Sequence, residues 1–196
     1  MACPSDAPIV IAPIFETDLH ASDATIHVPA GEEAGIELEF AFRLLRPLPD
    51  PASLDFAEKL RDAVELLPAI EIVRSRLSEP ALAGAELKMA DNQMNGALIL
   101  GEPIVDWGAI SVERASGFLS AGDSVLLDGQ APVPGGNAFE TLRRFALAVG
   151  SHCGGLLPGH VVITGSLNGL PWMQPGLEVH GKIDGLGEVG FRIVRA

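Results

Sequence analysis

The sequence has few cysteines, and the two that it has are far apart. Cys3 and Cys153 are its only cysteines among 196 residues. A network of disulfides or a C-x-x-C metal site cannot be built from two such positions. The scarcity of cysteine is typical of proteins in a reducing compartment, and we expect a cytoplasmic protein.

Positive charge and long apolar runs are also scarce. The chain has 13 lysines and arginines against 26 aspartates and glutamates, which gives a formal net charge of -13. That charge repels nucleic acid backbones and anionic membranes. No stretch approaches the roughly 20 apolar residues of a membrane span, and the first residues lack the basic region of a signal peptide. We therefore expect neither nucleic acid nor a membrane as a partner.

Apolar residues are nevertheless abundant, although tyrosine is absent. They make up 47% of the chain, and a chain of this length fits a single domain over residues 1–196. Much apolar surface has to be buried. We expect part of it to lie between the subunits of a homodimer or larger homo-oligomer.

Two segments have the spacing of amphipathic helices. Apolar residues recur every three to four positions over 54–67, where Ser53 can cap the start and Pro68 ends the pattern. The same spacing covers 137–151, with Asn137 as the cap. Two main helices among many strands predict an α+β fold with a mixed or mostly antiparallel sheet.

Short apolar runs bounded by turn residues predict the strands. Turn signals at 121–123 and 128–129 indicate hairpins, and 78–89 is expected to be irregular or weakly helical. Residues 185–190 match the G-x-G-x-x-G pattern, but no helix or acidic residue follows as a dinucleotide site requires. We interpret them as the turn between the last two strands. The predicted strands are 9–15, 25–28, 36–42, 69–76, 97–100, 160–164, 177–183 and 188–194.

Three glutamates lie within apolar, strand-like runs. Glu37 and Glu39 project to the same face of one strand, since side chains alternate along a strand, and Glu71 lies in a second run. Acids on a solvated face need no partner, and that is the simplest interpretation of these residues alone. If the face points inward, repulsion and desolvation must be offset, most simply by a divalent cation. Both interpretations stay open at this point.

Two polar segments can form either turns or parts of a pocket. One of them contains Asp91 and Asn92 and lies between Lys88 and an apolar strand. The other follows a strand, and the hydroxyl groups of Thr164 and Ser166 within it suit a carboxylate ligand. The five histidines have no metal-ligand spacing, and the sequence contains no P-loop, H-E-x-x-H or G-x-S-x-G motif.

Taken in order, these segments resemble the fumarylacetoacetate hydrolase superfamily, and most of all its 2-keto-4-pentenoate hydratase and 4-oxalocrotonate decarboxylase branch. Each segment is weakly diagnostic alone, and their order and spacing over about residues 12–195 carry the resemblance. The matching segments are Ile-Glu-Leu-Glu-Phe-Ala-Phe (36–42), Leu-Pro-Ala-Ile-Glu-Ile-Val-Arg-Ser-Arg (67–76), Ala-Asp-Asn (90–92) with Gly96, Leu-Pro-Gly-His-Val-Val-Ile-Thr-Gly-Ser-Leu (157–167) and Gly-Leu-Gly-Glu-Val (185–189).

The resemblance implies both a fold and a chemistry. The implied fold is a mixed β-sandwich roll of the fumarylacetoacetate hydrolase C-terminal domain type, and Mg²⁺ or Mn²⁺ would be held by Glu37, Glu39 and Glu71. Three oxygen ligands leave open positions on an octahedral ion, where a 2-oxo acid can bind through its carboxylate and keto oxygens. The implied activity is that of a lyase, a hydratase or decarboxylase, acting on a small 2-oxo or 2-hydroxydienoic acid in aromatic catabolism.

The sequence also departs from that branch. Members of the branch carry a catalytic lysine in a Lys-Ile-Gly-Leu-Thr-like segment well upstream of the Glu-x-Glu strand, and this sequence begins too late to include it. Their acidic pair near Phe15 is replaced by Glu16-Thr-Asp18. Gln93 and Met94 stand where the family has a small Ala-Ser pair.

Because of these departures, the resemblance does not identify the residues that transfer protons. We expect Lys88, Asp91 or Glu16 to transfer protons in place of the missing lysine. The substrate is expected to contact Asn92, Thr164 and Ser166. Two alternatives remain: a non-catalytic ligand-binding or partner subunit, and an acylpyruvate hydrolase that cleaves a C–C bond.

Overall fold

Apolar side chains on one face of each long strand pack between two β-sheets. The computed structural model describes residues 9–196. Cys3 therefore lies outside the described residues, and Cys153 is an exposed free cysteine. The described chain is α+β, as the sequence predicts.

Strands make up most of the regular structure in residues 9–196. In chain order they are β1 (Leu19–Ala21), β2 (Ala24–Val28), β3 (Ala34–Leu44), β4 (Val64–Val73), β5 (Asn95–Leu100), β6 (Arg114–Ala121), β7 (Ser124–Pro132), β8 (Val161–Ile163), β9 (Trp172–Met173), β10 (Leu177–Ile183) and β11 (Gly187–Arg195). The α-helices are α1 (Phe56–Asp62), α2 (Ala85–Ala90) and α3 (Ala138–Val149), and short 3-10 turns lie at Glu16–Asp18, Pro80–Leu82, Asn92–Met94, Pro134–Gly136 and His152–Gly154.

Both sheets are mixed. The first sheet has the order β1-β5-β4-β3-β8, with β9 also paired to β3, and the second has the order β2-β11-β10-β6-β7. β1 runs parallel to β5, and β2 runs parallel to β11. The neighbouring strands β3 and β4 are antiparallel and lie well inside the first sheet. β4 therefore has a partner strand on each side, whereas the second edge of β3 is paired only at residues 34–35 and 41–43.

The main core lies between the two sheets. Alternation along β3 sends its even-numbered side chains into this core and its glutamates to the opposite face. Side chains of α1 and α3 extend the core at one end, where Phe42, Trp107 and Phe139 pack with ring centroids 5.6 to 6.2 Å apart. Fully buried members include Ile36, Leu38, Phe40, Leu60, Leu66, Ile70, Ile72, Leu119 and Ile193.

The prediction of a helix over 54–67 is only partly right. Helix α1 ends at Asp62, and β4 begins at Val64, before the predicted end of the helix. Pro68 lies inside β4 rather than after a helix. Its carbonyl accepts a hydrogen bond from Gly101 N–H at 2.9 Å. Since β5 has ended at Leu100, the missing N–H of Pro68 faces a part of the sheet without a regular ladder.

Two further predictions are wrong. Residues 9–15 form no strand, because β1 takes the position beside β5 that such a strand would need, and Ile14 instead packs its side chain on the first sheet. The expected turn at 128–129 lies inside β7, where Gly129 has φ +99° and pairs with Gly117 of β6. A glycine tolerates that conformation within a strand.

Other elements agree with the sequence. The Asn137 side chain accepts a hydrogen bond from Glu140 N–H at 2.9 Å and caps α3. Residues 185–190 contain the turn of the β10–β11 hairpin, with Gly185 at φ +77°. The segment 78–89 holds one 3-10 turn and most of the short α2. Among the described residues, no helix has the length and apolar composition needed to cross a membrane.

Candidate metal centre

The register of β3 and β4 brings three carboxylates to one patch of the first sheet. Glu37 lies directly opposite Glu71, and Glu39 lies opposite Ala69. Residues directly opposite in an antiparallel pair share a face, and like charges there repel each other. Carboxylate oxygens of Glu37, Glu39 and Glu71 lie within 4.8 Å of one another. The pairing of β3 with β4 thus brings three negative charges together, although like charges at facing positions destabilise a sheet.

This cluster is largely removed from water. Glu39 is only 2% exposed, and the other two glutamates are partly buried. None of the three forms an ion pair with a lysine, arginine or histidine in the part of the chain that the structure describes. Charged groups are rarely buried without a partner. The cluster therefore has an unmet need for positive charge.

Neutral donors contact each carboxylate. Gly165 N–H donates to Glu39 Oε2 at 2.6 Å, and Asn95 Nδ2 donates to Glu71 Oε1 at 3.0 Å. The Ser166 hydroxyl lies beside the Glu37 carboxylate. These donors orient the carboxylates, but they do not balance three negative charges.

The environment raises the pKa of all three groups. Burial, followed by repulsion from Glu71, raises the pKa of Glu37 from 4.5 to about 7, although the Ser166 hydrogen bond opposes this shift. Burial and then repulsion from Glu71 and Glu37 raise the pKa of Glu39 well above its ordinary value. Burial also raises the pKa of Glu71, against the effect of the Asn95 hydrogen bond. The ionised cluster is unfavourable without a cation.

The donor set fits a hard divalent cation. Mg²⁺, Mn²⁺ and Ca²⁺ all prefer oxygen ligands, and carboxylates are the strongest of those. A divalent charge would offset the mutual repulsion and restore the ionised form of each glutamate. The three predicted metal ligands are therefore brought together in a chemically suitable arrangement.

An apolar surface adjoins the carboxylates on the same face of the sheet. Its buried residues are Ala41, Leu67, Ala69 and Leu98, and the partly buried residues packed against them include Ile14 and Leu19. The segment before β1 therefore covers part of this face. One side of the centre is apolar, which shields it from water.

Asp91 is held in a dense set of hydrogen bonds. Its carboxylate accepts from Arg76 Nε at 2.5 Å, from the Arg76 backbone N–H at 3.0 Å and from the Ser75 hydroxyl at 2.8 Å. Desolvation alone would raise the pKa of Asp91, but these hydrogen bonds and the Arg76 charge together lower it below 3.8. Such a carboxylate is a weak base, and the geometry favours a role in fixing the turn after α2.

Asn95, which the sequence analysis did not select, also contacts the carboxylate cluster. Arg76 Nη1 donates to the Asn95 carbonyl at 2.8 Å, and the Asn95 side chain donates to Glu71. Asp91, Arg76 and Asn95 thus form a connected support for one of the carboxylates. Asn95 could not be selected from the sequence, because an Asn-Gly pair ordinarily indicates a turn.

The remaining candidates for proton transfer lie on short elements. Glu16 is exposed in the 3-10 turn before β1. Lys88 is partly exposed on α2, one turn before Asp91, and forms no ion pair with the described residues. Their assignment to proton transfer stays a prediction.

The predicted substrate-binding residues are already engaged within the fold. Asn92 Nδ2 donates to the Pro13 carbonyl at 2.7 Å, and this ties the turn after α2 to the N-terminal segment. The Thr164 hydroxyl donates to the Phe40 carbonyl at 3.2 Å. The Ser166 hydroxyl donates to the Gly169 carbonyl at 2.7 Å while facing Glu37. Two of the three nevertheless lie beside the carboxylates, the Ser166 hydroxyl next to Glu37 and the Thr164 backbone next to Glu39.

Solved structures share this architecture. A 4-oxalocrotonate decarboxylase from Pseudomonas putida G7, complexed with magnesium and adipate, matches with a TM-score of 0.73 at 16% identity over 91% of this chain and 67% of that chain. A 5-carboxymethyl-2-hydroxymuconate delta-isomerase from Mycobacterium smegmatis matches with a TM-score of 0.68 at 16% identity over 99% and 72% of the two chains. The described chain therefore has the same fold as these two enzymes.

A third solved structure adds a different metal. A fumarylpyruvate hydrolase from Pseudomonas aeruginosa, in complex with Mn²⁺ and pyruvate, matches with a TM-score of 0.62 at 18% identity over 91% of this chain and 74% of that chain. A scan against models of protein families and a search of curated proteins found no match. The fold predicted from the sequence resemblance is confirmed. Because the identities are only 16% to 18%, the comparisons show a shared fold and no more.

Proposed function

We propose that this chain is a divalent-metal-dependent lyase that acts on a small 2-oxo or 2-hydroxydienoic acid. Glu37, Glu39 and Glu71 would hold Mg²⁺ or Mn²⁺. The activity would be hydration or decarboxylation within catabolism, in the cytoplasm, by a homodimer or larger homo-oligomer.

One observation carries the proposal. Three carboxylates lie within 4.8 Å of one another on a mostly buried patch, and no cationic side chain of the described chain neutralises them. A stable fold tolerates such a cluster poorly unless a cation is bound. The enzymes with the same fold support a divalent cation, since their complexes contain magnesium, calcium or Mn²⁺.

The same comparison supports the proposed substrate class. One complex contains a dicarboxylate, adipate, and another contains a 2-oxo acid, pyruvate. A bound divalent ion would act as a Lewis acid toward the oxygens of such an acid.

Other residues of this chain would orient the metal ligands, bind the substrate and transfer protons. The Gly165 N–H and the Asn95 amide hold Glu39 and Glu71 in place. The Ser166 hydroxyl, next to Glu37, can bind the acid group of a substrate. Lys88 is the best-suited proton-transfer group, because Asp91 is committed to Arg76 and Glu16 is exposed.

A non-catalytic binding or partner subunit is the second candidate. The observation that favours it is that the side chains of Asp91 and Asn92 are both used to stabilise one turn. A chain with this site could bind a metal and a 2-oxo acid without turning the acid over. Cleavage of an acylpyruvate, as the name of the fumarylpyruvate hydrolase describes for that enzyme, is a third outcome of the same test.

The test compares two glutamates of the same strand. Mg²⁺ and Mn²⁺ binding is measured by calorimetry for the wild type, for Glu71→Gln and for Glu65→Gln. Glu65 is the matched control, because it is a buried glutamate of β4 that pairs with Arg43 at 2.8 Å and lies outside the cluster. We expect Glu71→Gln to lose metal binding and activity on 2-hydroxypenta-2,4-dienoate, and Glu65→Gln to keep both.

Three results decide among the candidates. Mg²⁺-dependent hydration or decarboxylation supports the lyase, and cleavage of an acylpyruvate supports the hydrolase. Tight oxalate binding with Mg²⁺ but without turnover of any 2-oxo-enoate or acylpyruvate supports the binding subunit. Absence of divalent-metal binding by the wild type would reject all three.

A further inference from the structure

The edge of β3 beside the carboxylates has no regular partner strand. β8 pairs with residues 41–43 at one end of β3, and β9 pairs with residues 34–35 at the other. Between them the backbone groups of Ile36, Leu38 and Phe40 point toward a loop. A buried backbone group left without a hydrogen bond costs about 1–3 kcal/mol. The loop must therefore supply the missing partners.

The side chain of Asn168 supplies two of them. Its Oδ1 accepts a hydrogen bond from Leu38 N–H at 2.7 Å, and its Nδ2 donates to the Ile36 carbonyl at 2.9 Å. An asparagine amide has one acceptor and a donor pair, so it can replace a peptide group in a ladder. The two bonded backbone groups lie immediately before and after Glu37. Asn168 thus holds β3 on both sides of this carboxylate.

Backbone and side-chain groups of the loop share the bonding to this edge. The Leu167 N–H donates to the Leu38 carbonyl at 2.9 Å, and the Pro171 carbonyl accepts from the Ile36 N–H at 3.1 Å. The Thr164 hydroxyl and the Asn168 amide bond to the remaining groups, so the loop has no regular ladder that would use every backbone N–H. The Gly165 N–H turns toward Glu39 Oε2, with Gly165 at φ +107°. The same loop also places the Ser166 hydroxyl beside Glu37.

We propose that Asn168 is a positioning residue of the metal centre. It fixes the backbone around Glu37, and through that backbone it sets the relative placement of the Glu37 and Glu39 carboxylates. This inference rests on the proposed function, because a divalent ion is the ligand that requires that placement. Asn168 forms no hydrogen bond to the carboxylates themselves, so its effect on the metal is indirect.

A purely structural role has to be distinguished from this one. Loss of the two hydrogen bonds would lower stability even if no metal ever bound. Asn137 offers a matched control, since its side chain also accepts from a backbone N–H, that of Glu140, but at the start of α3. Removal of an N-cap lowers stability by about 1 kcal/mol. The two asparagines therefore test fold stability and metal positioning separately.

The experiment uses Mn²⁺ as the probe and the full chain. Free Mn²⁺ is measured by electron paramagnetic resonance during titration of the wild type, Asn168→Ala and Asn137→Ala. We expect Asn168→Ala to bind Mn²⁺ about 10–100-fold more weakly, which is the usual effect of removing a group that orients a metal ligand. Asn137→Ala should match the wild type in affinity despite its lower melting temperature.

A second measurement keeps the test independent of metal binding. Hydrogen exchange of the Leu38 amide in metal-free protein should be faster in Asn168→Ala, since that N–H loses its acceptor, and unchanged in Asn137→Ala. If both variants bind Mn²⁺ like the wild type, or both weaken it equally, the positioning role is wrong while the proposed function stands. If the wild type itself binds no Mn²⁺, the proposed function fails and this inference fails with it.

Discussion

Glu37 makes the metal-free protein sensitive to pH. Burial and the nearby charge of Glu71 raise the pKa of its carboxyl from 4.5 to about 7. A carboxyl with a raised pKa in the folded state favours folding fully below its unfolded pKa and loses that contribution as the pH rises through its folded pKa. Between pH 4.5 and about 7 the metal-free protein is therefore expected to lose stability at this residue.

Glu37→Gln tests this expectation, because glutamine does not titrate. In EDTA the variant should become more stable than the wild type as the pH rises through this range, by on the order of 2 kcal/mol after allowance for partial exposure. Saturating Mg²⁺ should reverse that order, since only the wild type keeps the ligand. Urea unfolding at each pH measures both effects. A difference that does not change with pH would contradict the pKa shift.

Asp91 has the opposite pH dependence. Its pKa is lowered below 3.8, chiefly by the hydrogen bonds from Arg76 and Ser75, which outweigh desolvation. A lowered pKa gives stability that is present above 3.8 and is lost as the pH falls through the folded value. Asp91→Asn should lower the free energy of unfolding at neutral pH by about 1–3 kcal/mol.

The pH profile distinguishes this ion pair from a general packing defect. The deficit of Asp91→Asn should shrink as the pH falls from 3.8 through the lowered pKa of the folded wild-type carboxyl, because that carboxyl also becomes protonated there. Ser75→Ala removes one of the three donors to Asp91 and should cause a smaller loss at neutral pH. An equal deficit at all pH values would show that Asp91 does not act through its charge.

Substitution of Lys88 is the most direct test of the proposed proton transfer. It lies one turn before Asp91 on α2 and has no ion-pair partner among the described residues. If it transfers a proton, Lys88→Ala should lower kcat by about 10²–10⁴ while Mn²⁺ affinity stays unchanged. Lys182→Ala, on the exposed face of β10, is the control. Equal kcat values for the two variants would remove Lys88 from the mechanism.

Among the secondary-structure elements, β3 is the one whose contribution to the metal centre could be predicted from the sequence alone. Alternation places Glu37 and Glu39 on one face of a strand, and this was readable from seven consecutive residues. The pairing of Glu37 with Glu71 was not, because register between strands depends on contacts distant in sequence. Without the family resemblance, a solvated face remained the simpler interpretation.

The other half of the centre comes from irregular segments. Asn95 begins β5 after a turn, and Gly165 lies in a loop that replaces a strand. Neither position has a periodic signal, since each depends on where neighbouring strands end. The same limit explains the error at the end of α1, where Val64 and Leu67 continue a helical spacing but are buried in β4.

The contact between β4 and β5 gives a prediction at this scale. A Cβ at Gly96 would lie 2.8 Å from the Ile72 carbonyl, so Gly96→Ala must push β5 away from β4. Asn95 is the neighbouring residue, and its amide would move from Glu71. We expect a loss of about 1–3 kcal/mol in unfolding free energy, together with weaker Mn²⁺ binding.

Gly108→Ala is the control for this substitution. A Cβ at that position meets only Asp106 Oδ1, at an ordinary 3.5 Å. Calorimetric melting and Mn²⁺ titration should leave this variant close to the wild type. If Gly96→Ala also keeps full Mn²⁺ affinity, the Asn95 contact contributes nothing to the centre.

At the scale of the whole molecule, several large apolar side chains stay exposed. The 3-10 turn at Pro80–Leu82 and the following α2 contribute three of them: Leu82 is 80% exposed, Leu87 55% and Met89 42%. Phe15, before β1, is 61% exposed. With a formal net charge of -13, long-range repulsion opposes association, so an interface needs this kind of apolar contact.

We predict a homodimer or larger homo-oligomer that buries well over about 1,000 Å² and uses the exposed side chains near α2. Sedimentation equilibrium at micromolar concentration should give at least twice the mass of one chain. Leu82→Asp combined with Leu87→Asp should shift the equilibrium to monomer, because a carboxylate in an apolar contact is strongly disfavoured. Val125→Asp, at a 59% exposed position of β7, should leave the mass unchanged. A wild-type monomer would contradict the prediction outright, whereas an oligomer that resists the double substitution would place its interface elsewhere on the surface.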